Sequence, residues 1–336
     1  MTEQTQLAWD IIETTNTNLF LTGKAGTGKT TFLRRLKEES SKRIVVVAPT
    51  GIAAINAEGV TIHSFFQLSF APFIPNYNLK EQQFRFSKQK INVIRSIDTL
   101  VIDEISMVRA DLLDAVDSVL RRFRKNNLPF GGVQMVMIGD LGQLAPVAKD
   151  DEWQMLSRYY ATPYFFSSLA LQRTRYAIVE LTKVYRQSDK RFLDILNKVR
   201  ENRADAAVLS ALNSRYIPGF KPRKEDGYIR LTTHNWQAQR INDHELELLP
   251  GKPYTYTATI EGKYPEMLFP TDETLTLKTG AQVMFVKNDS SADKAYYNGM
   301  IGTIAAIDAE GFTVTAKDTG ENIRVQPCLL YTSDAA

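Results

Sequence analysis

The stretch TGKAGTGKTTF, residues 22–32, decides how the N-terminal part of the chain folds. It satisfies the pattern G-x-x-x-x-G-K-S/T at four positions, which are Gly23, Gly28, Lys29 and Thr30. An apolar run at 18–21 precedes the pattern, and the residues at 31–36 have apolar side chains at helical spacing. A strand, a glycine-rich loop and a helix N-terminus together bind phosphate, because the loop N–H groups and the helix dipole attract an anion. A surface turn rich in Gly and Thr is the alternative.

The loop also predicts which residues contact a nucleotide. We expect the Lys29 side chain to reach the β- and γ-phosphates and the Thr30 hydroxyl to bind Mg²⁺. The predicted contacts with ATP lie in the loop and the start of the helix, at Gly23, Ala25, Gly26, Thr27, Gly28, Lys29, Thr30 and Thr31.

Composition places the 336-residue chain among globular proteins of two or more domains, with 43% hydrophobic and 24% charged residues. The formal net charge of +3 permits nucleic-acid binding without requiring it. A single cysteine excludes a disulfide framework. With a polar N-terminus and no apolar run of transmembrane length, the sequence predicts a cytoplasmic protein that has no membrane partner.

Three continuous apolar runs, at 44–47, 99–102 and 134–138, alternate with helical patterns in the first 150 residues. Continuous hydrophobicity is typical of strands buried on both faces, so the pattern predicts an α/β fold with a parallel sheet. Polar residues follow each run, at the edge where open α/β sheets bind ligands.

Two of these strand ends have residues suited to nucleotide hydrolysis. Asp103 is predicted to bind Mg²⁺, and Glu104 is predicted to orient the attacking water. The alternative for this acidic pair is the N-terminal turn of a helix. Gln143 follows the third strand, where it is predicted to sense the γ-phosphate; a polar loop residue is the alternative.

A second sheet is predicted to begin near Tyr164, with strands at 176–181 and 228–232. Arg186 follows the first of these strands and is the candidate cation for phosphoryl transfer, expected to reach the phosphates from a sheet opposite Lys29. Helices are predicted around 192–199 and at 235–249. After residue 250 the strands alternate and glycine turns appear, which predicts a small antiparallel β domain.

Between the predicted strands lies an aromatic segment, residues 65–77, with two prolines and no regular period. One interpretation is a loop that folds onto the core. The other is a protruding aromatic wedge that stacks on bases. The sequence leaves both open.

The motifs in order resemble the PIF family of superfamily 1 DNA helicases and their RecD-type relatives. The matching stretches are GKAGTGKT (23–30), APTGIAAINAEGVTIHSFF (48–66), VIDEISM (101–107), GDLGQLAPV (139–147), LTKVYRQSD (181–189), TLKTGAQVMFVKND (276–289) and YYNGMIGTI (296–304). The resemblance implies an ATP- and Mg²⁺-dependent helicase that moves 5′ to 3′ on single-stranded DNA and opens duplex, forked or structured DNA; the 336-residue chain is expected to lack full activity. In a bacterium such a protein would be associated with the nucleoid.

The resemblance also implies residue roles. Gln4 corresponds to the glutamine that reads adenine, with Gln6 as an alternative. The predicted catalytic residues are Lys29, Glu104, Gln143 and Arg186. The predicted DNA contacts are Thr50, Gly51, His63, Ser64, Phe65 and Phe66.

For the fold, the resemblance implies tandem RecA-like motor domains, the second incomplete, with a small inserted antiparallel β domain. The expected segments are 1–160 for the first motor domain with a wedge-like insertion at 65–90, 161–250 for the start of the second, and 251–327 for the β domain. A His-Lys-x-Gln-Gly stretch and a late arginine motif of the family are absent after Arg186. Residues 328–336 resemble a translated sequencing adapter, so we expect them to be a non-native tail, or else a genuine strand.

Two other functions are compatible with the same loop. A different P-loop ATPase, such as a clamp loader or a terminase-like motor, would have a similar sheet and acidic pair but would leave residues 48–66 without a role. A nucleotide-gated DNA-binding module without unwinding activity is the second alternative. ATP hydrolysis that single-stranded DNA does not stimulate would count against the helicase.

Overall fold

A computed structural model describes residues 2–75, 86–220, 228, 230–261, 272–286, 289, 295–297, 299–326 and 329–331. The chain forms two compact units, Met1–Ser214 and Arg215–Ala336. Within these described residues, no helix combines the length and the apolar character needed to cross a membrane.

The first unit is built on a six-stranded sheet whose paired strands are all parallel. Its strands are β1 (Asn18–Gly23), β2 (Ile44–Ala48), β3 (Val60–Thr61), β4 (Thr99–Ile102), β5 (Gln134–Gly139) and β6 (Tyr176–Leu181). They are arranged in the order β3-β2-β4-β5-β1-β6. Because the strands are parallel, the loops that follow them meet at one edge of the sheet.

Helices cover both faces of this sheet. They are α1 (Glu3–Thr14), α2 (Lys29–Glu39), α3 (Gly51–Asn56), α4 (Ile62–Phe66), α5 (Lys88–Ser96), α6 (Ala110–Arg124), α7 (Asp150–Leu156), α8 (Leu169–Gln172), α9 (Lys190–Arg200) and α10 (Ala206–Asn213). Short 3-10 turns occur at Ile105–Met107, Pro129–Gly132 and Phe165–Ser167. Side-chain oxygens satisfy free N–H groups at several helix starts, at Thr2, Thr61, Ser87, Ser168, Asp189 and Asp205.

Alternation within β4 and β5 explains the continuous apolar runs. Leu100 and Ile102 pack with α4, α5 and α6 on one face, whereas Val101 packs with α1 and α2 on the other. In β5, Met135 and Met137 join the first face, and its other apolar residues join the second. The sheet is therefore buried on both faces, and the predicted α/β class is confirmed.

The placement of the strand at 176–181 was predicted wrongly. This strand is β6, and it pairs with β1 of the first sheet in a register that joins Asn18 to Tyr176 and Gly23 to Leu181. It lies at the sheet edge, which leaves Ile178 63% exposed. The local pattern identified a strand correctly, but pairing is a tertiary property that a local pattern does not specify. The first compact unit accordingly extends to Ser214, beyond the expected boundary at residue 160.

The described part of the chain between β6 and residue 253 contains helices and no strand. The strand predicted at 228–232 is wrong at Tyr228 and at 230–232, which are not in extended pairing; Ile229 lies outside the described residues. The predicted helix is present as α11 (Asn235–Glu247).

The second unit contains the predicted antiparallel sheet. Its strands are β7 (Tyr254–Thr257), β8 (Thr259–Glu261), β9 (Thr274–Leu277), β10 (Gln282–Met284), β11 (Ile301–Asp308), β12 (Gly311–Ala316), β13 (Asn322–Val325) and β14 (Leu329–Tyr331). Four of them form an antiparallel sheet in the order β10-β11-β12-β13, and β7 pairs with β9 in the same sense. The short β14 pairs in parallel with β8.

The aromatic segment begins inside the core. Phe65 and Phe66 belong to α4 and are 6% and 0% exposed, and Leu68 is also buried. Phe73 and Phe86 pack against the same core cluster. Packing onto the core, one of the two interpretations, is therefore confirmed for Phe65, Phe66, Leu68 and Phe73, whereas Phe70 is 54% exposed. Residues 76–85 of the predicted wedge lie outside the described part of the chain.

Candidate nucleotide and DNA site

The glycine-rich loop connects β1 directly to α2, as the sequence predicted. Gly26 and Gly28 have φ angles of +77° and +91°, in the left-handed region that favours glycine. Gly28 is the N-cap of α2, so the N–H groups of the loop are followed directly by those of a helix N-terminus. A Cβ atom on Gly26 would lie 2.6 Å from the Cβ of Arg186, so this glycine also permits a close approach of another segment.

The Lys29 ammonium folds back onto its own loop. Nζ donates hydrogen bonds to the carbonyl oxygens of Gly23 at 2.6 Å and Lys24 at 3.1 Å. Burial lowers the pKa of Lys29, and the negative charges of Asp140, Glu104 and Asp103 oppose that change, with Asp140 the strongest of the three. The loop lysine thus lies close to the carboxylates that follow β4 and β5.

Asp103 and Glu104 follow β4 at the same edge. Asp103 is 8% exposed, and its main-chain N–H donates to Val47 O at 2.9 Å. Burial raises the pKa of Asp103 to about 6, and the nearby charge of Glu104 adds to this effect. Glu104 has a φ of +51°, a left-handed conformation that costs a non-glycine residue about 1 kcal/mol or more.

The alternative interpretation of the acidic pair as a helix start is not supported. Glu104 precedes a 3-10 turn, Ile105–Met107, and its side chain makes no capping hydrogen bond there. The next α-helix begins only at Ala110. The pair therefore lies at the edge where the parallel strands end, and Glu104 has no side-chain capping role there.

Asp140 is a site residue that the sequence reasoning missed. It follows β5, is 0% exposed, and accepts hydrogen bonds from the Gly142 N–H at 2.9 Å and from Gln143 Nε2 at 2.9 Å. Arg200 Nη1 donates to the same carboxylate at 2.5 Å. Burial alone would raise the pKa of Asp140, but the hydrogen bonds from Arg200, Gln143 and Gly142 bring it below its usual value. Asp140 could have been predicted, because it is an acidic residue directly after a buried strand. No comparable feature of the sequence pointed to Arg200.

Arg186 approaches the phosphate loop from a position that the sequence did not predict. The N–H of Tyr185 donates to Gly26 O at 2.8 Å, and the Arg186 N–H lies 3.4 Å from the same oxygen. Because β6 is the neighbour of β1, Arg186 follows a strand of the same sheet as Lys29, and the expected approach from an opposing sheet is wrong. The Arg186 side chain is exposed.

The adenine candidate lies in the first turn of α1. Gln4 is half-buried there. Gln6 is exposed and donates from Nε2 to Asp10 Oδ1 at 2.8 Å, one turn further along the same helix. Because Gln6 already has this partner, Gln4 remains the better candidate.

Four of the predicted DNA contacts occupy the neighbouring strand ends. Thr50 and Gly51 follow β2, and the Thr50 hydroxyl accepts from the Ala53 N–H at 3.2 Å at the start of α3. His63 and Ser64 lie in α4, directly after β3. Thr50 and Ser64 are exposed. Since β2 lies between β3 and β4, Thr50 and Gly51 follow the strand next to β4, which precedes Asp103, and His63 and Ser64 follow the strand after that.

His63 has a flat partner and a basic neighbour. Its ring stacks on Phe70 with centroids 4.5 Å apart and an interplanar angle of 6°. Burial lowers the pKa of His63, and the positive charge of Arg109 adds to this effect. A neutral imidazole on an aromatic platform is suited to stacking with a base or donating one hydrogen bond.

The predicted DNA contacts at Phe65 and Phe66 are wrong for their side chains, which are buried in the core. Lys90 covers the Phe65 ring at 3.6 Å from its centroid. Both rings stabilise α4 from inside and thereby hold the backbone of His63 and Ser64 in place.

This combination of a parallel sheet, a glycine-rich loop leading into a helix and acidic residues on neighbouring strand ends defines a P-loop nucleotide-binding protein. Residues 2–208 match the family described as PIF1-like helicase. The ATP-dependent DNA helicase Pif1 of Psychrobacter sp. (strain PRwf-1) is 37% identical over 315 residues, which are 88% of this chain and 45% of that protein. The chain thus spans about half the length of this relative.

Solved structures agree with this result. A Pif1 helicase studied for DNA unwinding at forked double-stranded DNA is 42% identical, with a TM-score of 0.84, covering 97% of this chain and 76% of the other. Pif1 helicase from Bacteroides in complex with ADP-AlF3 and single-stranded DNA is 39% identical, with a TM-score of 0.83, covering 97% and 74%. The chain belongs to the PIF1-like helicase family, and its six-stranded unit has the RecA-like fold of these helicases.

Proposed function

We propose that the protein is an ATP-dependent DNA helicase that moves 5′ to 3′ on single-stranded DNA and opens duplex or forked DNA. The observation that carries this proposal is the shared sheet edge, where the nucleotide residues follow β1, β4, β5 and β6 and the DNA candidates follow β2 and β3. The relatives named above are described as ATP-dependent DNA helicases, and one was solved with single-stranded DNA.

For ATP hydrolysis, each residue at this edge has a distinct role. Lys29 leaves the carbonyl oxygens of its own loop and binds the β- and γ-phosphates, which compensates its burial. Glu104 orients and activates water. Gln143 senses the terminal phosphate, and Arg186 stabilises the charge that develops on it, an effect worth on the order of 10³–10⁵ in rate. Gln4 reads adenine.

Mg²⁺ fits the oxygen donors of Thr30 and Asp103. Asp103 is a buried carboxyl whose pKa is raised mainly by burial, and a bound cation would relieve that cost. A hydroxyl and a carboxylate are hard ligands of the kind Mg²⁺ prefers, with phosphate oxygens supplying others. When bound, the ion would supply charge neutralisation at the phosphates. In the described part of the chain, no group of three or more His, Cys, Asp or Glu side chains lies close enough together to hold a metal ion.

DNA binding is assigned to the ends of β2 and β3. Thr50, Gly51 and Ser64 offer small polar groups to phosphate, and His63 offers a stacking surface. Nucleotide-driven closure of a second domain over this edge would turn hydrolysis into stepwise movement. Such a protein would act in the cytoplasm and, in a bacterium, at the nucleoid.

Strand displacement tests this function. The 336-residue chain is incubated with a fluorescent duplex bearing either a 5′ or a 3′ single-stranded tail, with ATP or without nucleotide. Release that needs ATP and a 5′ tail supports the proposal, and release only from the 3′ tail overturns the direction. DNA-stimulated ATP hydrolysis without release favours a nucleotide-gated DNA-binding module. Hydrolysis that ignores DNA favours a different P-loop ATPase.

A further inference from the structure

Helix α9 is attached to the nucleotide site at both ends. Before its N-terminus, the N–H of Tyr185 donates to Gly26 O of the phosphate loop. At its C-terminus, Arg200 donates to Asp140, and the next residue, Glu201, forms an ion pair with Lys24 of the phosphate loop at 3.5 Å. The segment 185–201, which follows β6, thus contacts the phosphate loop at both of its ends and the end of β5 through Arg200.

The Arg200–Asp140 pair differs from an ordinary surface ion pair. Asp140 is fully buried, and the Arg200 side chain is only 27% exposed. A Cβ atom on Gly142 would lie 2.7 Å from the guanidinium carbon of Arg200, so the guanidinium fits closely against this glycine. Removing one partner from such a pair leaves an uncompensated buried charge, which is much more costly than losing an exposed pair.

Gln143 and Arg200 share one oxygen atom. Gln143 Nε2 and Arg200 Nη1 both donate to Asp140 Oδ2, at 2.9 and 2.5 Å. If Gln143 turns toward a terminal phosphate, Asp140 Oδ2 loses the hydrogen bond from the Gln143 amide. It then keeps the hydrogen bond from the Arg200 guanidinium. Asp140 also lies close to Lys29. Burial lowers the pKa of Lys29, and among the carboxylates that raise it again Asp140 has the largest effect. Its charge therefore acts where the β- and γ-phosphates bind.

We propose that Arg200 is a positioning residue for triphosphate binding, one that neutralises Asp140 and lets Gln143 leave it for the terminal phosphate. The inference rests on the proposed ATP-binding function. With a diphosphate, Gln143 has no terminal phosphate to reach and stays on Asp140. Arg200 therefore contributes more to binding of the triphosphate than of the diphosphate.

The test measures the affinities of the 336-residue chain for ATPγS and for ADP by calorimetry, with Mg²⁺ present. For Arg200→Gln we expect ATPγS binding to weaken by about tenfold or more and ADP binding by less than about threefold, because an unpaired buried Asp140 repels the added phosphate. Arg200→Lys, which keeps the charge, should retain most of the ATPγS affinity. The double variant Asp140→Asn with Arg200→Gln removes both charges and should recover most of the loss.

Arg191→Gln is the matched control, since Arg191 lies on the same helix and is exposed. It should change neither affinity. Equal weakening of ADP and ATPγS in Arg200→Gln would mean that Arg200 only stabilises the fold, and unchanged affinities would also overturn the inference. If the unmodified chain binds neither nucleotide, the proposed function itself fails, which is a distinct outcome.

Discussion

The main-chain N–H of Tyr185 donates a 2.8 Å hydrogen bond to the carbonyl oxygen of Gly26. This bond ties the segment that follows β6 to the top of the phosphate loop. It places the Cα of Arg186 close to the point where a nucleotide phosphate would bind, within the same compact unit as Lys29. The candidate arginine is therefore positioned by the sheet that holds the phosphate loop.

Gly26→Ala tests whether this close approach matters. The added methyl group would lie 2.6 Å from the Cβ of Arg186, so the Tyr185–Arg186 segment must move. We expect the ATP turnover number to fall by at least about tenfold, because displacement of a catalytic group by an ångström is costly. Gly219→Ala is the control, since Gly219 has a similar φ of +68° and no atom within 4 Å of the added methyl. Equal activities of the two variants would mean that the docking is incidental.

Arg186→Ala tests the role of the guanidinium separately from that of the backbone. The Tyr185–Gly26 hydrogen bond uses main-chain atoms and should survive. If the guanidinium acts on the transition state, kcat falls by about 10³ or more while the KM for ATP changes by less than about threefold. Lys190→Ala, an exposed cation four residues further on, should leave both constants unchanged. An unchanged turnover number in Arg186→Ala would remove Arg186 from the site.

Asp103→Asn should stabilise the nucleotide-free protein near pH 8. A folded-state pKa of about 6 against 3.8 means that the protonated carboxyl is favoured on folding. The stability that this group contributes is fully present below about pH 3.8 and is lost as the pH rises through about 6. The difference corresponds to at most about 3 kcal/mol. Thermal unfolding should show a higher Tm for Asp103→Asn at pH 8 and a smaller gap at pH 5.

Mg²⁺ and ATP should reverse this order. They bind the folded wild-type protein and raise its Tm by mass action, whereas Asp103→Asn lacks the charged ligand and should respond weakly. A higher Tm of the variant that persists equally at pH 5, or an equal response of both proteins to Mg²⁺ and ATP, would contradict the assignment of Asp103.

His63→Ala and Phe66→Leu separate DNA contact from core packing. His63 is the proposed stacking residue, so its loss should weaken single-stranded DNA binding by about fivefold or more. Phe66 is fully buried, so the shorter side chain should lower the free energy of unfolding by about 1 to 3 kcal/mol and leave DNA affinity nearly unchanged. Fluorescence anisotropy with a labelled oligonucleotide and thermal unfolding measure the two effects. The reverse pattern would restore the original assignment of Phe66 to the DNA surface.

The strands that were predicted well are those with runs of apolar residues. β4 and β5 alternate between two covered faces, so beyond their first residues, Thr99 and Gln134, which hydrogen-bond to each other, the side chains that they bury are apolar, and the sequence shows these runs directly. The loop between β1 and α2 was predicted because glycine is needed at defined left-handed positions. In these cases the physical requirement acts on neighbouring residues and therefore leaves a local pattern.

The errors concern relationships between distant segments. β6 was recognised as a strand, but its pairing with β1 depends on residues about 158 positions earlier in the chain, as in the pair Asn18 and Tyr176. Burial of Phe65 and Phe66 could not be read from a segment without a period. Arg200 lies 60 positions from Asp140, and an arginine near the end of an exposed helix has no distinguishing pattern.

The most direct measurement is the rate of ATP hydrolysis by the 336-residue chain with and without single-stranded DNA. We expect Mg²⁺-dependent hydrolysis that rises several-fold with saturating oligonucleotide. In Lys29→Met, hydrolysis should disappear while oligonucleotide binding is retained. Lys37 lies on the same helix as Lys29 and forms an ion pair with Glu58, so the control variant Lys37→Met should behave like the wild-type protein. Hydrolysis that is unaffected by DNA, or that persists in Lys29→Met, would contradict a nucleotide site coupled to DNA.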